Sequence, residues 1–209
     1  MNLQGVILVF ASYLLGGVPT GLLLASLRGL DIRRLGSGNI GAANVARTTG
    51  VVAGVLTLVL DAAKGGLAVG LAGLAPATAT TTDGLLAACA AVGVVAGHCW
   101  PVLLGFRGGK GVATMLGAML VLSPWALPLP LLLFAAVAGL SRIVSLASIV
   151  GALALPAGSA LAGDPAATIV ASALLACVVI GRHHENIARL LSGTEKPLIL
   201  STSPRLHSS

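Results

Sequence analysis

The stretch "GHCWPVLLGFRGGKGVAT", residues 97–114, is a glycine-rich basic loop set between two long apolar runs. It holds five glycines, one arginine and one lysine, whereas the runs on either side are almost free of polar residues. A flexible cationic loop is costly inside an apolar environment and belongs at an aqueous surface. The pattern indicates that membrane helices end at this loop and that the loop holds an anion at the membrane surface.

The composition of the whole chain agrees with a membrane protein. Of 209 residues, 56% are hydrophobic and only 9% are charged, and the mean hydropathy is +1.02. A soluble domain carries about 25% charged residues, so a soluble globular domain is excluded. The net charge of +6 could suggest nucleic acid binding, but aromatic residues make up only 3% of the chain and offer little for base stacking. Membrane topology explains the positive charge better.

Six apolar runs follow one another along the chain. Most have the length of about 20 residues that a spanning helix needs. Basic residues follow the first run and do not precede it, which predicts a retained helix entering from outside and not a cleaved signal peptide. The run 111–141 is longer than one span needs. It is either one long helix or two short helices that turn near Pro124. The runs are 3–27, 50–75, 84–104, 111–141, 143–162 and 166–181.

The distribution of Lys and Arg distinguishes between these topologies. If the run 111–141 forms two spans and the N-terminus lies outside, eleven of the twelve Lys and Arg residues face the cytoplasm. The opposite connections, near 76–83, 123–128 and 163–165, contain none. A single span over 111–141 would place the C-terminal basic cluster outside, against the positive-inside tendency.

The sequence therefore predicts an all-α integral membrane protein with seven transmembrane helices, the N-terminus outside and the C-terminus cytoplasmic. A five-span version, with 111–141 re-entrant, keeps the same sidedness and stays open. No internal repeat is visible, so residues 1–209 are predicted to form a single membrane-embedded domain. Its short cytoplasmic tail, about 182–209, contains a predicted interfacial helix before Pro197.

The first of three polar clusters, "GSGNIGAANVARTTG" at residues 36–50, combines glycines, amides and a guanidinium. Glycine permits close backbone approach, the polar side chains supply hydrogen bonds, and a planar guanidinium suits phosphate. The alternative is a polar turn in which Ser37 or Asn39 caps the following helix. The candidate binding residues are Ser37, Gly38, Asn39, Gly41, Asn44 and Arg47.

The second cluster is the opening stretch, where glycines surround two basic residues. Their backbone N–H groups are predicted to form an anion nest, to which the next helix adds the positive end of its dipole. The loop is not a Walker A motif, because Leu104 and Gly111 occupy positions that require Gly and Ser or Thr. The alternatives are a flexible loop whose charges only fix topology and, for His98, a purely structural hydrogen bond. The candidates are His98, Arg107, Gly108, Gly109, Lys110 and Gly111.

The third cluster, "RHHENIARLLSGTE" at residues 182–195, follows the last apolar run. His183 and Asn186 are three residues apart and are predicted to share one helix face. Glu185 and Glu195 are expected to anchor the segment through Arg182 and Arg189. The alternative is a solvated amphipathic tail. Under the predicted topology all three clusters emerge on the same side of the membrane, which predicts that they meet.

Asp61 and Lys64 lie within an apolar run and are spaced to pair on one helix face. Unpaired ions inside a membrane are costly and often functional. A pair that braces the helix bundle is the simpler interpretation, and a functional role is the alternative.

Several motifs are absent from the sequence, and their absence limits the types of reaction that the protein is expected to catalyse. No two of the six acidic residues are spaced to share a divalent cation, so we expect neither a metal nor a cofactor. The H-x-x-x-x-D pair of many glycerolipid acyltransferases is absent, as is G-x-S-x-G. A phosphate site without an evident strong base calls for a leaving group that departs easily. A phosphate-ester transporter is the rival, but it would favour repeated halves and binding groups near the bilayer midplane.

The three motifs "SGNIGAANVAR" (37–47), "GHCWPVLLGFRGGKGVAT" (97–114) and "RHHENIARLLSGTE" (182–195) resemble, in order and spacing, those of the bacterial acyl-phosphate:glycerol-3-phosphate acyltransferase family, PlsY. The resemblance covers nearly the whole chain. Ala43 stands where the family commonly has Thr, and His184 where Arg is common.

The resemblance implies a seven-helix enzyme of the bacterial cell (inner) membrane with a cytoplasmic active site. It implies transfer of an acyl group from acyl phosphate to the 1-hydroxyl of sn-glycerol 3-phosphate, giving lysophosphatidic acid and inorganic phosphate in phospholipid synthesis. The expected partners are these two substrates and the lipid bilayer, without nucleic acid.

The resemblance also assigns roles to individual residues. Ser37 and Arg47 would bind phosphate and orient the acyl phosphate. Lys110, with Gly108, Gly109 and Gly111, would bind glycerol 3-phosphate or share charge with the donor phosphate, and His183 and Asn186 would position the acceptor. The expected catalytic residues are Ser37, Arg47, Lys110, His183 and Asn186.

Overall fold

A computed structural model of the chain describes residues 2–74 and 84–197. Within these two stretches the chain is helical and contains no strand. Three short 3-10 helices, at Ile32–Arg34, Val102–Leu104 and Pro124–Ala126, connect the α-helices. The α-helices are α1 (Leu3–Gly16), α2 (Thr20–Ser26), α3 (Ala42–Thr48), α4 (Val51–Gly73), α5 (Leu85–Cys99), α6 (Val112–Leu122), α7 (Pro128–Ser141), α8 (Val144–Leu161), α9 (Ala166–Arg182) and α10 (His184–Leu191).

Five segments of the described chain are long and apolar enough to cross a membrane. A sixth is obtained if α9 and α10, which are bent by 60° at His183, count as one span. These segments confirm the predicted class of an all-α protein with membrane-spanning helices, while the count of seven and the orientation of the termini stay predictions. The five are Leu3–Ser26, Val51–Gly73, Leu85–Leu104, Pro124–Ser141 and Val144–Leu161.

The long apolar run 111–141 is broken in its middle. α6 ends at Leu122, a 3-10 turn covers Pro124–Ala126, and α7 begins at Pro128. Proline has no amide hydrogen to continue a helix, so both prolines fit the start of a new segment. A single helix over this run is therefore excluded, and the prediction of two short helices turning near Pro124 is confirmed. α6 has only 11 residues, well short of the ~20 needed to cross a bilayer.

Glycine contacts bring the central helices close together. A Cβ added to Gly117 of α6 would lie 1.8 Å from the carbonyl oxygen of Ala62 in α4. The same addition to Gly97 of α5 would lie 1.9 Å from the carbonyl oxygen of Tyr13 in α1. Only a residue without a side chain permits these backbone contacts, which are common between membrane helices. The resulting α1–α5 and α4–α6 pairs fix where the second cluster lies.

α7 stands apart from this central packing. It packs mainly against α8, and Pro130 is its only buried residue. Leu132 and Leu140 on its outer side are 67% and 89% exposed. Large exposed apolar side chains are expected on a surface that faces lipid. Because α7 does not pack closely on α6, a slot remains between α6, α7 and α8.

The predicted pair of Asp61 and Lys64 is confirmed. Their side chains are buried and the Lys64 Nζ lies 2.8 Å from an Asp61 carboxylate oxygen. Thr20 donates a hydrogen bond of 2.6 Å to the same oxygen, and Lys64 donates one of 2.8 Å to the carbonyl of Val18. The Nδ1 of His98 lies 3.5 Å from that carboxylate oxygen. The cluster ties α4 and α5 to the break between α1 and α2.

Candidate active site

The side chain of Asn44 organises the first cluster. Its amide oxygen accepts a hydrogen bond of 2.9 Å from the backbone N–H of Ser37. Its amide nitrogen donates to the carbonyls of Leu35, at 3.0 Å, and Asn39, at 2.9 Å. Both N–H groups of this buried amide are therefore used within the loop, and Asn44 holds Ser37 in place. Asn44 was predicted to supply hydrogen bonds for binding, and its N–H groups instead form hydrogen bonds within the loop.

In the alternative interpretation of the first cluster, the polar turn is confirmed, but the predicted helix cap by Ser37 or Asn39 is wrong. α3 begins after Gly41, which makes no side-chain cap. Asn39 instead accepts a hydrogen bond of 2.8 Å from the backbone N–H of Gly41, forming a local turn. The side chain of Ser37 is exposed at the mouth of the site.

The glycine loop of the second cluster is bound to the end of α5. The N–H of Gly108 donates to the carbonyl of Cys99, at 3.2 Å, and the N–H of Gly109 donates to that of His98, at 3.0 Å. These two amides are not available to an anion, which corrects the prediction that they form an anion nest. The first backbone N–H groups of α6, which follow Gly111, have no intrahelical acceptor. They are therefore the candidates for binding an anion.

Gly108 and Gly109 are required by close contact. A Cβ on Gly108 would lie 2.1 Å from the carbonyl oxygen of His98, and a Cβ on Gly109 would lie 2.1 Å from the Nε2 of the His98 ring. His98 is buried and faces Asp61 through Nδ1 and Gly109 through Nε2. Its contacts are those of a structural residue, although its side chain also borders the site.

Arg182 closes the loop from the other side. Its guanidinium donates hydrogen bonds to the carbonyls of Gly108, at 3.0 Å, and Gly109, at 3.1 Å. The guanidinium carbon also lies 5.6 Å from the centre of the Trp100 ring, a cation–π arrangement. This corrects the expectation that Arg182 anchors Glu185. The sequence gives no signal for this contact, since backbone carbonyls are not visible in a motif.

The third cluster is aimed inward by the bend at His183. His183 is the N-terminal cap of α10, and Asn186 and Arg189 follow it at intervals of three residues. All three border one cavity, as predicted for His183 and Asn186. The expected anchor between Arg189 and Glu195 is confirmed by a hydrogen bond of 2.6 Å. α10 also confirms a helix before Pro197, while the tail beyond residue 197 lies outside the described residues.

A hydrogen-bond chain joins the second and third clusters. The Nζ of Lys110 donates to the side-chain oxygen of Asn186, whose nitrogen donates to Glu195 at 2.6 Å. Ser145 of α8 donates to the same carboxylate oxygen at 2.6 Å. Sequence reasoning missed Ser145, because a single serine in an apolar run carries no signal of its own.

Two cavities meet at these clusters. The first, of about 620 Å³, is bordered by six basic side chains, from Arg33, Arg34, Arg107, Lys110, Arg182 and Arg189, and by the carboxylates of Asp31 and Glu185. The second, of about 670 Å³, is polar at one end and apolar at the other. Both cavities are bordered by Ser37, Asn39, Lys110 and Arg189. Lys110 thus lies where the two spaces join, and the prediction that the three clusters meet is confirmed.

Nearly all the predicted site residues border one of these cavities. Gly109 borders neither and serves the packing of the loop. Four arginines of the first cavity were not predicted as site residues, because their positions in the sequence indicate only membrane topology or the anchoring of a helix; these are Arg33, Arg34, Arg182 and Arg189. The first cavity contains Ser37, Gly38, Asn39, Arg107, Gly108 and Lys110, and the second contains Ser37, Asn39, Gly41, Asn44, Arg47, His98, Lys110, Gly111, His183 and Asn186.

Burial changes the protonation of two residues at the junction. Burial, with Arg189 nearby, lowers the pKa of Lys110 to about 8. Burial also lowers the pKa of His183 to about 4, so its ring is neutral at neutral pH. The Nδ1 of His183 lies 2.7 Å from the carbonyl of Val179, which can only accept, so Nδ1 carries the proton and Nε2 is an acceptor.

Glu195 stays ionised beside these groups. Burial alone would raise the pKa of Glu195, but hydrogen bonds from Ser145, Arg189 and Asn186 together lower it. The junction therefore combines a cationic lysine, a neutral histidine and an ionised glutamate. Such a set can bind phosphate and accept a hydrogen bond from a hydroxyl, but it contains no strong base.

The chain matches known proteins over most of its length. A family model described as glycerol-3-phosphate acyltransferase matches residues 6–193. A glycerol-3-phosphate acyltransferase of Desulforamulus reducens is 43% identical over 196 residues, covering 93% of this chain and 96% of the relative. One from Anaeromyxobacter dehalogenans is 46% identical over 197 residues, covering 93% and 98%.

Solved structures agree with this match. The crystal structure of PlsY (YgiH), an integral membrane glycerol 3-phosphate acyltransferase, in its glycerol 3-phosphate form has a TM-score of 0.86 and 36% identity, covering 93% of this chain and 95% of that one. Its lysophosphatidic acid form has a TM-score of 0.84 at the same identity and coverage. Likeness of this extent in sequence and in fold is that of a family member. The chain therefore belongs to the glycerol-3-phosphate acyltransferase family, whose members include integral membrane enzymes.

Proposed function

We propose that this protein transfers a fatty acyl group from an acyl phosphate to the 1-hydroxyl of sn-glycerol 3-phosphate. The products are lysophosphatidic acid and inorganic phosphate, and the reaction serves phospholipid synthesis. Family membership supports the acyltransferase activity, and the solved PlsY forms carry glycerol 3-phosphate and lysophosphatidic acid.

The position of Lys110 carries the proposal. Its side chain borders both a cavity rich in arginine and a cavity with an apolar end. A reaction between a small phosphate ester and a phosphate attached to a long hydrocarbon chain needs these two environments side by side. A cation at their junction is shared by both anions, which offsets their mutual repulsion when they approach.

The second cavity suits the acyl phosphate. Its apolar end accepts the hydrocarbon chain, and its polar end offers Arg47, Ser37 and the first amides of α6 to the phosphate. Asn44 contributes by holding the loop of Ser37. Gly38, Asn39 and Gly41 form the remaining wall of this polar end and of the adjoining basic cavity.

Glycerol 3-phosphate would bind on the other side of Lys110. Its phosphate suits the basic cavity, where Arg107 and Arg189 lie, and its 1-hydroxyl then points toward the junction. The neutral His183 accepts a hydrogen bond from that hydroxyl through Nε2, and Asn186 is held in place for the acceptor by Lys110 and Glu195. Gly108 and Gly109 position Lys110 through their contacts with α5.

In the reaction the oxygen of the 1-hydroxyl attacks the carbonyl carbon of the acyl phosphate. The bond between that carbon and the phosphate oxygen breaks, and phosphate departs. The proton of the hydroxyl passes to the departing phosphate, whose oxygen becomes more basic as the bond breaks. With its pKa near 4, His183 is too weak a base to hold this proton. Alignment and charge neutralisation by Lys110 and Arg47 supply most of the acceleration of this activated anhydride.

The proposed setting is the bacterial cell (inner) membrane, with the three clusters facing the cytoplasm. We propose seven crossings, with the N-terminus outside and the C-terminus inside. α7 forms one of them, and α6, which is too short to cross alone, forms another together with the glycine loop before it and the turn Pro124–Ala126 after it. The charge distribution described above supports this arrangement, since all connections on the opposite side lack Lys and Arg. Residues 1–209 act as one domain that needs neither metal nor cofactor.

A purified full-length protein in detergent tests the reaction. Palmitoyl phosphate and glycerol 3-phosphate are supplied without added metal, and phosphate and lysophosphatidic acid are measured. We expect phosphate release that requires both substrates. Release without glycerol 3-phosphate would indicate simple hydrolysis, and uptake of glycerol 3-phosphate into liposomes without turnover would favour a transporter; either outcome would overturn the proposal.

A further inference from the structure

The apolar end of the second cavity is closed, and its closure involves three elements of the fold. Met119 of α6, Leu127 at the start of α7 and Leu155 of α8 all border the cavity and are 0%, 4% and 1% exposed. Met119 and Leu155 are the cavity-lining residues of α6 and α8 that lie furthest along these helices from Lys110 and Ser145, so the three side chains form the end of the cavity away from the junction. No polar side chain of the described chain borders the cavity beyond Ser148 on α8.

Beyond this apolar end, one turn further along α8, the backbone of α8 packs against the 3-10 turn Pro124–Ala126. A Cβ on Gly158 would lie 2.2 Å from the carbonyl oxygen of Ala126, so the 3-10 turn rests directly on α8 there. Asp164 strengthens this end by accepting hydrogen bonds of 2.8 Å from Ser123 and 2.5 Å from Ser159. The end of the cavity is therefore rigid and will not lengthen easily to admit a longer occupant.

Small residues keep the path to this end open. Ala152 of α8 borders the cavity one turn before Leu155 and is 1% exposed. From Ser145, beside Glu195, to Leu155 the wall formed by α8 runs for about 15 Å along the helix axis. A linear hydrocarbon chain attached at the junction is the occupant that fits such a space.

We propose that Met119, Leu127 and Leu155 set the length of the acyl chain that the enzyme prefers, by closing the cavity at a fixed depth. This inference rests on the proposed function and adds the residues that determine its donor specificity. A chain that is too short leaves the deep end empty, and one that is too long cannot seat its reacting carbonyl beside Lys110. Differences of one or a few methylene groups in an apolar pocket are worth roughly tenfold or more in kcat/KM.

One flank of the cavity offers an alternative path. Leu58 of α4 and Leu131 of α7 border the cavity and are 46% and 44% exposed, so the space opens sideways between these helices. This opening suits entry of the donor from the bilayer. If the end of the acyl chain also left through this side opening, the closed end of the cavity would not limit the length of the acyl chain. The experiment distinguishes these two cases.

The test uses purified full-length variants and a series of lauroyl, myristoyl, palmitoyl and stearoyl phosphates. Leu155→Ala and Met119→Ala enlarge the deep end, and we expect each to raise kcat/KM for longer donors relative to shorter ones by roughly tenfold. Ala152→Leu shortens the cavity and should shift the preference in the opposite direction. The KM for glycerol 3-phosphate should not change in any of these variants.

Leu175→Ala is the matched control. Leu175 is 0% exposed and belongs to the same apolar core as Leu155 but borders neither cavity. It should lose thermal stability as Leu155→Ala does while keeping the wild-type length preference. An unchanged preference for donor length in all three cavity variants would overturn the inference in favour of exit through the flank. A changed preference in Leu175→Ala would also overturn it, because this residue does not border the cavity. Failure of the wild-type protein to use any acyl phosphate would instead overturn the proposed function.

Discussion

The ammonium group of Lys110 donates a hydrogen bond to the side-chain oxygen of Asn186, which lies 76 positions later in the chain. Asn186 is held in turn by Glu195, so a loop after α5 and a helix after α9 form one rigid unit. Preorganised positive charge of this kind acts on a transition state without a cost of reorientation.

Replacing Lys110 or Arg47 with alanine should lower turnover by about a hundredfold or more, because each removes a cation from the anion site. The measurement is phosphate release at saturating palmitoyl phosphate and glycerol 3-phosphate, with thermal stability followed in parallel. Arg142→Asn is the control: Arg142 is exposed, borders neither cavity and has a left-handed backbone that Asn tolerates. Near-normal rates in both alanine variants would refute the site.

The protonation of His183 should make stability depend on pH. Its pKa is lowered from 6.5 to about 4 in the folded protein, so between these values only the unfolded state carries the proton. Stability should therefore rise as pH rises from about 4 to 6.5, by a total of about 3 kcal/mol, and should be lost as pH falls. His183→Asn should flatten this part of a Tm profile, whereas His184→Asn, at an exposed neighbour, should not.

Glu195→Gln should weaken both the fold and the activity, since it removes the charge on which three hydrogen bonds converge. We expect a loss of about 2–3 kcal/mol together with a higher KM for glycerol 3-phosphate, because Asn186 is no longer held. Glu185→Gln makes the same chemical change at an exposed position of α10 that borders the basic cavity but lacks these three hydrogen bonds, so it should leave Tm nearly unchanged. Equal losses of Tm in the two variants would show that the network has no special role.

Gly109→Ala should disturb the loop that holds Lys110, because the new methyl group would overlap the ring of His98. We expect lower thermal stability and a clear loss of turnover. Gly181→Ala is the comparison, since a Cβ there meets nothing within 4 Å and alanine favours a helix by about 0.5–1 kcal/mol over glycine. A fully active Gly109→Ala protein would contradict the packing described for this loop.

Asp61→Asn should reduce thermal stability more than turnover per folded molecule. It leaves the buried ammonium of Lys64 without its counter-ion, a change that costs about 3–5 kcal/mol in comparable buried pairs. The double variant Asp61→Asn with Lys64→Gln should recover part of the loss by removing the stranded charge. Selective loss of turnover in a stable Asp61→Asn protein would instead assign the pair a role in the reaction.

The meeting of the three clusters was predictable from the sequence. Charge distribution alone put residues 36–50, 97–114 and 182–195 on one side of the apolar runs, and helical spacing brought His183 and Asn186 to one face. Pro124 left the run 111–141 as one helix or two, and the distribution of Lys and Arg favoured the two that the structure contains. These features depend on local sequence and on the preference of charged residues for water, and both can be judged from the sequence alone.

Other parts of the site depend on tertiary contacts and were not predictable. The direction of the amides of Gly108 and Gly109 is set by how the loop folds back on α5, so the same glycines pack against carbonyls where an anion nest was expected. The contacts of Arg182 and Ser145 are with partners more than forty residues away. No short motif records such partners.

The buried cluster around Asp61 has a consequence for biosynthesis. The ammonium of Lys64 binds the carbonyl of Val18 and the carboxylate of Asp61, and Thr20 donates a hydrogen bond to that carboxylate. All three residues precede Lys64 in the chain and are synthesised before it. A nascent α4 that leaves the translocon alone would carry the Asp61–Lys64 pair into hydrocarbon without the hydrogen bonds to Val18 and from Thr20. We therefore expect the first two apolar segments to be released into the lipid together, as a preassembled pair.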